Sequence, residues 1–176
     1  EEGYGFGSEK YEKNKQENAD LKKKIFERTD GSVNSLYDQG KKESLVHFEK
    51  IYKILGTAFD YYFFESQVAN PGRKLVHANL GKIFELGANG AVIFKGEKFG
   101  LHTRVFINSE GLPTYEAKEL ALANEKYKKY KYDWSVVVTG NEINEYFKVL
   151  LAAMAPLFPD LAQKTQHIGH GMMRLP

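Results

Sequence analysis

Residues 133–140, DWSVVVTG, contain the run of valines that decides the fold of the second half of the chain. The continuous β-branched stretch Val136 to Val138 is typical of a strand that is covered on both faces, as in parallel sheets. An amphipathic helical pattern follows directly over residues 141–158. A buried strand followed by a helix predicts an α/β arrangement, in which helical crossovers connect parallel strands.

The flanking segments extend this alternation in both directions. A strand is predicted in residues 100–111, GLHTRVFINSEG, and a helix in residues 113–130, PTYEAKELALANEKYKKY. Pro113 suits the start of that helix, where its missing N–H is not needed. A third strand is predicted in residues 165–173, TQHIGHGMM. The order β-α-β-α-β predicts the second half of a Rossmann-like parallel sheet with helices on its faces.

The first part of the chain shows no such alternation. Residues 1–17 are rich in Gly, Lys and Glu, which predicts a flexible N-terminal segment. An amphipathic helix is predicted in residues 18–31, with Gly31 as its stop, and a second in residues 42–56. The aromatic residues 57–67 predict an irregular stretch.

A small α+β unit is expected next. Pro71-Gly72 predicts a turn, followed by a helix and then a strand over residues 91–94. Residues 18–100 are therefore interpreted as a mostly helical α+β insertion, and residues 101–176 as a Rossmann-like half-domain.

The composition indicates a folded protein. Of 176 residues, 42% are hydrophobic and 14% aromatic, which is more apolar surface than a disordered chain leaves in water. A net charge of only +2 creates no global field that requires a polyanionic partner. The absence of cysteine excludes disulfides and thiolate metal sites, and it fits a reducing cytosol. No apolar run approaches the roughly 18 residues that span a bilayer, so we expect no membrane partner.

The predicted topology indicates where a ligand would bind. Because ligands of parallel sheets bind beyond the carboxyl ends of the strands, residues 109–114, 139–142 and 169–173 should meet at one site. Tyr115 and Glu119 lie four residues apart on the helix and share one face. A phenol and a carboxylate suit a guanidinium or ammonium group, which they bind with directional, charge-assisted hydrogen bonds. The same spacing also fits a solvated acid and a core tyrosine.

Two further patterns have simpler interpretations. Residues 124–134, NEKYKKYKYDW, interleave lysines with tyrosines as RNA-binding surfaces do. They also fit the solvated end of a helix, where lysines favour the C-terminal dipole, and we prefer this interpretation. Among the five histidines, His47, His77, His102, His167 and His170, only the last two have a spacing that could suit a metal. Because no acidic residue lies between those two and glycines surround them, no zinc site is predicted.

Three ordered segments resemble the second half of the catalytic domain of arginyl-tRNA synthetases, which are class I enzymes. They are EGLPTYEAKELALA at 110–123, SVVVTGNEINEYFKVLLAAM at 135–154 and HIGHGMMRLP at 167–176. Residues 42–66, KESLVHFEKIYKILGTAFDYYFFES, are similar to the insertion between the two catalytic halves of that family. The likeness covers residues 18–176, strongly after residue 103 and loosely before it.

The tetrad His167-Ile168-Gly169-His170 spells the class I ATP-binding signature, but its position does not fit that role. The signature follows the first strand of the nucleotide-binding domain, with a lysine-bearing loop far downstream. The resemblance instead matches HIGHGMM to the strand before that loop, which makes the tetrad coincidental. It implies that the true signature precedes residue 1 and that the loop begins after Pro176, with Arg174 leading into it. The alternative is that the tetrad is the genuine signature.

The resemblance implies a set of site residues. Tyr115 and Glu119 would contact the arginine substrate, although most family members have Asp at the position of Glu119. The end of the second strand would lie beside this pocket, through Gly140, Asn141 and Glu142. The third strand would line the adenine side, mainly through backbone groups, at His167, Gly169, Gly171 and Met172.

The resemblance also implies an activity: an arginine–tRNA ligase that activates arginine with ATP and transfers it to tRNA(Arg). ATP is expected as a substrate with Mg²⁺, without a tightly bound cofactor or a resident metal. The enzyme is expected to be cytoplasmic and monomeric. This chain would supply arginine and adenine contacts and be inactive alone. The alternatives are a stand-alone α/β RNA-binding module that uses the Lys/Tyr-rich helix end, or another nucleotide-binding α/β enzyme, which would need its own phosphate loop.

Overall fold

The structure is a computed structural model that describes residues 14–171. The chain divides into two compact units between Tyr62 and Phe63. The N-terminal segment expected to be flexible, residues 1–17, lies mostly outside the described residues, and its last residues begin the first helix. Residues 63–100, which the sequence analysis groups with the helical insertion, pack in the same unit as the residues that follow them.

The first unit consists of two helices, α1 (Lys15–Glu27) and α2 (Gly31–Leu55). The prediction that Gly31 ends a helix is wrong, because α2 begins there. Asp30 is the reason: its carboxylate accepts hydrogen bonds from the backbone N–H groups of Ser32 and Val33 and so caps a new helix. These bonds, with those from Lys24 and Ser32, lower the pKa of Asp30 to about 2.

The irregular stretch predicted over residues 57–67 is observed for residues 57–64, but the prediction is wrong for residues 65–67, which begin a helix. Residues 57–62 pack against the end of α2. The ring of Phe59 lies edge-on to Tyr52 at 4.8 Å between centroids. Tyr62 donates a hydrogen bond of 2.6 Å to a carboxylate oxygen of Glu49, and this bond is the main cause that raises the pKa of Tyr62 to about 12.

The second unit begins with α3 (Glu65–Ala78), which contains Pro71 and Gly72. The prediction of a turn at Pro71-Gly72 is therefore wrong. Proline in a helix interior removes one hydrogen bond and destabilises by about 3 kcal/mol. The buried face of α3, formed by Val68, Ala69, Gly72 and Val76, offsets this loss.

Three short strands form an antiparallel sheet: β1 (Glu85–Leu86), β2 (Val92–Phe94) and β3 (Arg104–Ile107). The strand predicted over residues 91–94 is confirmed. The expectation that β3 is the first strand of the parallel sheet is wrong, since β3 pairs antiparallel with β2. Only residues 95–103 connect β2 to β3, and a connection of that length joins antiparallel neighbours more readily than parallel ones.

The remaining elements form a strand–helix–strand crossover, preceded by α4 (Tyr115–Lys129). The strands β4 (Ser135–Gly140) and β5 (Thr165–His170) pair in parallel, with Val137 opposite His167. Two helices, α5 (Asn144–Met154) and α6 (Pro159–Lys164), connect them. The α/β class predicted from the valine run is confirmed, with two strands rather than three in the parallel sheet. The prediction that this strand is covered on both faces is wrong, because Val136 and Val138 are 52% and 61% exposed and only one face of β4 packs against the protein.

The core of the second unit lies where α3, α4 and α5 meet the antiparallel sheet. Large apolar side chains from all of these elements are almost fully buried, including Val76, Phe84, Phe106, Leu120, Leu150 and Met154. This packing fixes α4 against α5. None of the helices described over residues 14–171 has the length and apolar character to cross a bilayer.

Candidate functional site

The predicted pair of phenol and carboxylate lies on the first two turns of α4. Tyr115 is the first residue of that helix and is 70% exposed, with the ammonium group of Lys118 5.1 Å from its ring centroid. Glu119 is partly buried. Loss of water around its carboxyl group raises the pKa of Glu119, and the ammonium of Lys126 opposes this rise. A dehydrated carboxylate beside an accessible phenol can bind a cation from solvent.

Three polar side chains that the sequence analysis did not assign to the site join this pair. Tyr146 on α5 has a raised pKa, because it is desolvated and because the negative charges of Glu119 and Glu116 lie near its hydroxyl. The guanidinium of Arg104 lies 5.3 Å from the Tyr146 ring centroid and donates a 3.1 Å hydrogen bond to Glu116. In the sequence, Tyr146 falls on the apolar side of the amphipathic pattern over residues 141–158, so the pattern predicts a core residue and not a polar role.

The ion pair between Arg104 and Glu116 is the basis of a stability prediction. Glu116 is only 8% exposed, so Arg104→Met leaves a buried carboxylate without its cation. We expect a loss of about 2 kcal/mol in the free energy of unfolding. This is less than for a fully buried ion pair, because the Arg104 side chain is 36% exposed. Adding Glu116→Gln should recover most of the loss, as measured by urea unfolding of the chain. Equal stability of the single and double variants would contradict this.

Helix α5 connects the Tyr115–Glu119 pair to the parallel strands. Tyr146 faces α4, while the next residue, Phe147, stacks on the His167 ring of β5 at 3.9 Å between centroids and 5° between planes. One turn earlier, the Asn144 amide lies against Gly169: a Cβ at Gly169 would lie 2.3 Å from Asn144 Oδ1. Residues 144–147 of α5 therefore contact β5 on one side and lie near the charge of Glu119 on the other.

The end of β4 brings two of the three predicted loops together. Thr139 is paired with Gly169, and Gly140 with His170, so residues 139–142 and 169–171 lie side by side. Asn141 and Glu142 form a short 3-10 turn after β4 and are exposed. The third predicted loop, residues 109–114, follows β3, and that strand belongs to the antiparallel sheet.

The residues expected on the adenine side lie in or after β5. His167 points to the inner face, where its Nε2 and Thr139 Oγ1 share a hydrogen bond of 2.7 Å. The tetrad His167 to His170 lies within the strand, not at a turn into a helix. Gly171 is exposed and has space around it for a side chain. Met172 lies outside the described residues.

The lysines and tyrosines at the end of α4 make contacts within the protein. The ammonium groups of Lys131 and Lys164 lie 4.4 Å and 4.8 Å from the ring centroid of Tyr127, and Tyr132 meets the same ring edge-on. Lys126 is partly buried and bonds Ser135 Oγ at 3.2 Å. These contacts give the cluster a packing role, and RNA binding by its remaining lysines stays a prediction.

Two further observations on residues 14–171 concern ligand binding outside the predicted site. Between residues 14 and 171, no three His, Asp or Glu side chains gather as metal ligands. A surface cavity of about 400 Å³ runs along α1 and contains none of the predicted site residues; it is lined by Glu17, Asp20, Leu21, Lys23, Lys24, Glu27 and Thr29.

Comparison with curated proteins confirms the resemblance that the three ordered segments show. The chain is 31% identical over 131 residues to an arginine–tRNA ligase from Flavobacterium psychrophilum, a match that covers 73% of this chain and 22% of the relative. It is 32% identical over 130 residues to the enzyme of the same name from Amoebophilus asiaticus, with 73% and 22% covered. The match to that of Parabacteroides distasonis has 28% identity over 152 residues and covers 86% and 26%.

Solved structures support the fold. The chain superimposes on arginyl-tRNA synthetase from Plasmodium falciparum with a TM-score of 0.70, 18% identity and coverage of 92% of this chain and 28% of that one. For a protein assigned as an arginyl-tRNA synthetase from Campylobacter jejuni, the TM-score is 0.65, with 20% identity and coverage of 87% and 35%. No family model matches the chain. The chain spans about a quarter of the length of the curated relatives that it matches.

Proposed function

We propose that this chain is the central segment of an arginine–tRNA ligase, which activates arginine with ATP and transfers it to tRNA(Arg). The segment supplies the arginine pocket and contacts on the adenine side. The observation that carries this proposal is the partly buried carboxylate of Glu119 one helical turn after the exposed phenol of Tyr115, on a helix that packs against the crossover between two parallel strands. Matches to arginine–tRNA ligases over most of the chain support it.

The chemistry of Glu119 favours a guanidinium ligand. Its carboxyl group is desolvated, and the cation that opposes the rise of its pKa, Lys126, is itself partly buried, with a pKa that burial lowers. An arginine side chain would bring a fixed positive charge and two parallel N–H donors to this carboxylate. Tyr115 would close the pocket from solvent and offer its hydroxyl as a further hydrogen-bonding group. Gly140, Asn141 and Glu142 would border the pocket at the end of β4.

The adenine side would be formed by the end of β5. Gly171 is exposed with space around it, which leaves room for a planar base, whereas the Asn144 amide occupies the space beside Gly169. The resemblance assigns Gly169 and Met172 to this side through backbone groups. His167 contributes through its backbone, because its ring is held by Phe147 and Thr139. ATP would bind as a substrate, with Mg²⁺ on its phosphates. The reaction at the phosphates depends on cations that stabilise the negative charge of the transition state.

We infer that the groups for phosphate chemistry belong to other parts of the ligase, so that this chain is inactive alone. The complete enzyme would work in the cytoplasm as a monomer, as the resemblance implies. The test is arginine-dependent ATP–pyrophosphate exchange in the presence of tRNA(Arg). The complete protein should exchange with arginine but not with citrulline, which replaces the guanidinium by a neutral urea. Equal exchange with citrulline, or comparable exchange by the isolated chain, would contradict the proposal.

The raised pKa of Glu119 predicts how arginine affinity depends on pH. Below that pKa the carboxyl group is protonated in the empty pocket and must release its proton when the guanidinium binds. The dissociation constant for arginine should therefore fall as the pH rises above the ordinary glutamate value of 4.5, and level off once Glu119 is ionised. The charged and titratable groups around it are Lys126 on α4 and Tyr146 on α5.

Calorimetric titration of the complete protein with arginine between pH 5 and 8 would measure this dependence. The variant Glu119→Gln has no proton to release, so its weaker binding should not vary with pH in the same window. A pH dependence that is identical in the wild type and in Glu119→Gln would assign the titration to another group.

A further inference from the structure

The hydroxyl group of Tyr146 is buried and has no hydrogen-bond partner among the described residues. A buried hydroxyl without a partner destabilises the folded state, so most such groups in proteins are satisfied. The ring itself is well placed, because it packs edge-on against Phe147 at 5.2 Å and lies beside the Arg104 guanidinium. The ring of Tyr146 is therefore held by packing contacts, whereas its hydroxyl group makes no hydrogen bond with the described residues.

The surroundings of this hydroxyl contain two acceptors on one face of α4. Glu116 and Glu119 are three residues apart, so their side chains are neighbours on the helix. Glu116 already accepts a hydrogen bond from Arg104. The Glu119 carboxylate accepts no side-chain hydrogen bond in residues 14–171, and of the charges near Tyr146 it has the strongest influence. The Tyr146 hydroxyl on α5 and the Glu119 carboxylate on α4 are thus a donor and an acceptor without hydrogen-bond partners, on two helices that pack together.

Building on the proposed arginine site, we propose that Tyr146 is a positioning residue for Glu119. When arginine binds, the Tyr146 hydroxyl donates a hydrogen bond to one Glu119 carboxylate oxygen and fixes the carboxylate in the orientation that receives the guanidinium. The bond to an ionised acceptor is stronger than one to a neutral acceptor.

The length of the side chain at position 119 is part of this inference. Glutamate is longer than aspartate by one methylene group, about 1.5 Å. The longer side chain brings the carboxylate toward α5, where Tyr146 can restrain its additional rotatable bond. An aspartate carboxylate would stay closer to α4 and beyond the reach of the hydroxyl. The contribution of Tyr146 to arginine binding should therefore depend on glutamate at position 119.

A double-mutant cycle with Tyr146→Phe and Glu119→Asp tests this dependence. The readouts are KM for arginine and kcat in ATP–pyrophosphate exchange by the complete protein, together with its melting temperature. In the Glu119 background, Tyr146→Phe should raise KM about 10-fold with kcat changed less than twofold. In the Glu119→Asp background the same substitution should change KM less than twofold. The melting temperature should stay the same or rise, because phenylalanine keeps the ring contacts and removes an unpaired hydroxyl.

The outcomes separate this inference from the proposed function. An equal rise in KM in both backgrounds, no rise in either, or a lower melting temperature with a parallel loss of kcat would overturn the positioning role. Glu119→Gln serves as the reference in the same assay. If Glu119→Gln abolishes arginine activation while Tyr146→Phe has no effect, only the role of Tyr146 fails. If Glu119→Gln also has no effect, the proposed arginine site fails.

Discussion

Glu119→Gln in the complete protein is expected to lower kcat/KM for arginine about 100-fold. The substitution keeps the size of the side chain but removes the charge that the guanidinium needs, a loss of about 3 kcal/mol for a hydrogen-bonded ionic pair in a partly dehydrated site. The melting temperature should not fall, because the Glu119 carboxyl group is desolvated without a hydrogen-bond donor of its own. ATP–pyrophosphate exchange at varied arginine concentration measures the effect.

Glu125→Gln is the matched control on the same helix. Glu125 pairs with Lys128 at 2.8 Å on the surface, and such exposed pairs contribute little to stability. The control should change kcat/KM for arginine less than twofold. If both variants lose activity to the same degree, the effect of Glu119→Gln reflects the charge of α4 in general and not a specific arginine contact.

Gly72→Ala is expected to cause the largest loss of stability. An alanine Cβ at this position of α3 would lie 2.3 Å from the backbone oxygen of Ala117 on α4, and neither backbone can move without separating the helices. We expect a loss of about 3 kcal/mol in the free energy of unfolding, at the upper end for overpacked sites. Because Ala117 lies between Tyr115 and Glu119, the shift of α4 should also weaken arginine binding in the complete protein.

Gly40→Ala is the matched control, since Gly40 also lies inside a helix but has no atom near its would-be Cβ. Alanine there should stabilise α2 by about 0.5–1 kcal/mol. The chain has one tryptophan, Trp134 at the start of β4, whose fluorescence reports on the unit that contains Gly72. The midpoint temperature of unfolding, followed by Trp134 fluorescence, should be lower in Gly72→Ala and unchanged in Gly40→Ala. A fluorescence transition that is unchanged in Gly72→Ala would contradict the close α3–α4 contact.

The crossover between the parallel strands could be predicted because its strand and its helix each have a clear local signal. Val136 to Val138 are β-branched and mark β4, and the apolar period of residues 144–154 marks α5. The prediction that Pro113 lies near the start of a helix is also confirmed, since α4 begins two residues after it. In these segments, β propensity and apolar period favour the elements that are observed. Burial of β4 on both faces could not be predicted correctly, because Val136 and Val138 are exposed.

The predictions of secondary structure and strand pairing fail where contacts between elements override the preferences of the local sequence. Pro71-Gly72 has the composition of a turn, but the close approach of Ala117 requires a glycine on a helix face at that position. Gly31 resembles a helix stop, yet the cap that Asp30 supplies makes it a helix start. The strand that pairs with β3, and its antiparallel direction, depend on the path of residues 95–103. The hydrophobic pattern of the sequence does not predict that path.

The candidate site was predictable only in part. The spacing of Tyr115 and Glu119 places both on one face of a helix, and the resemblance assigned them a role. Tyr146 was hidden because a tyrosine in an apolar stripe has the same period as a core residue. Its unpaired hydroxyl, and the bond from Arg104 that occupies Glu116, are visible only when the helices are packed together.

The most direct test of the arginine site is a crystal structure of the complete protein with arginine bound. The guanidinium nitrogens should lie about 2.7–2.9 Å from the Glu119 carboxylate oxygens, the distance of a charge-assisted hydrogen bond, with the Tyr115 phenol beside them. Arginine bound elsewhere, with Glu119 still free of a cationic ligand, would contradict the account.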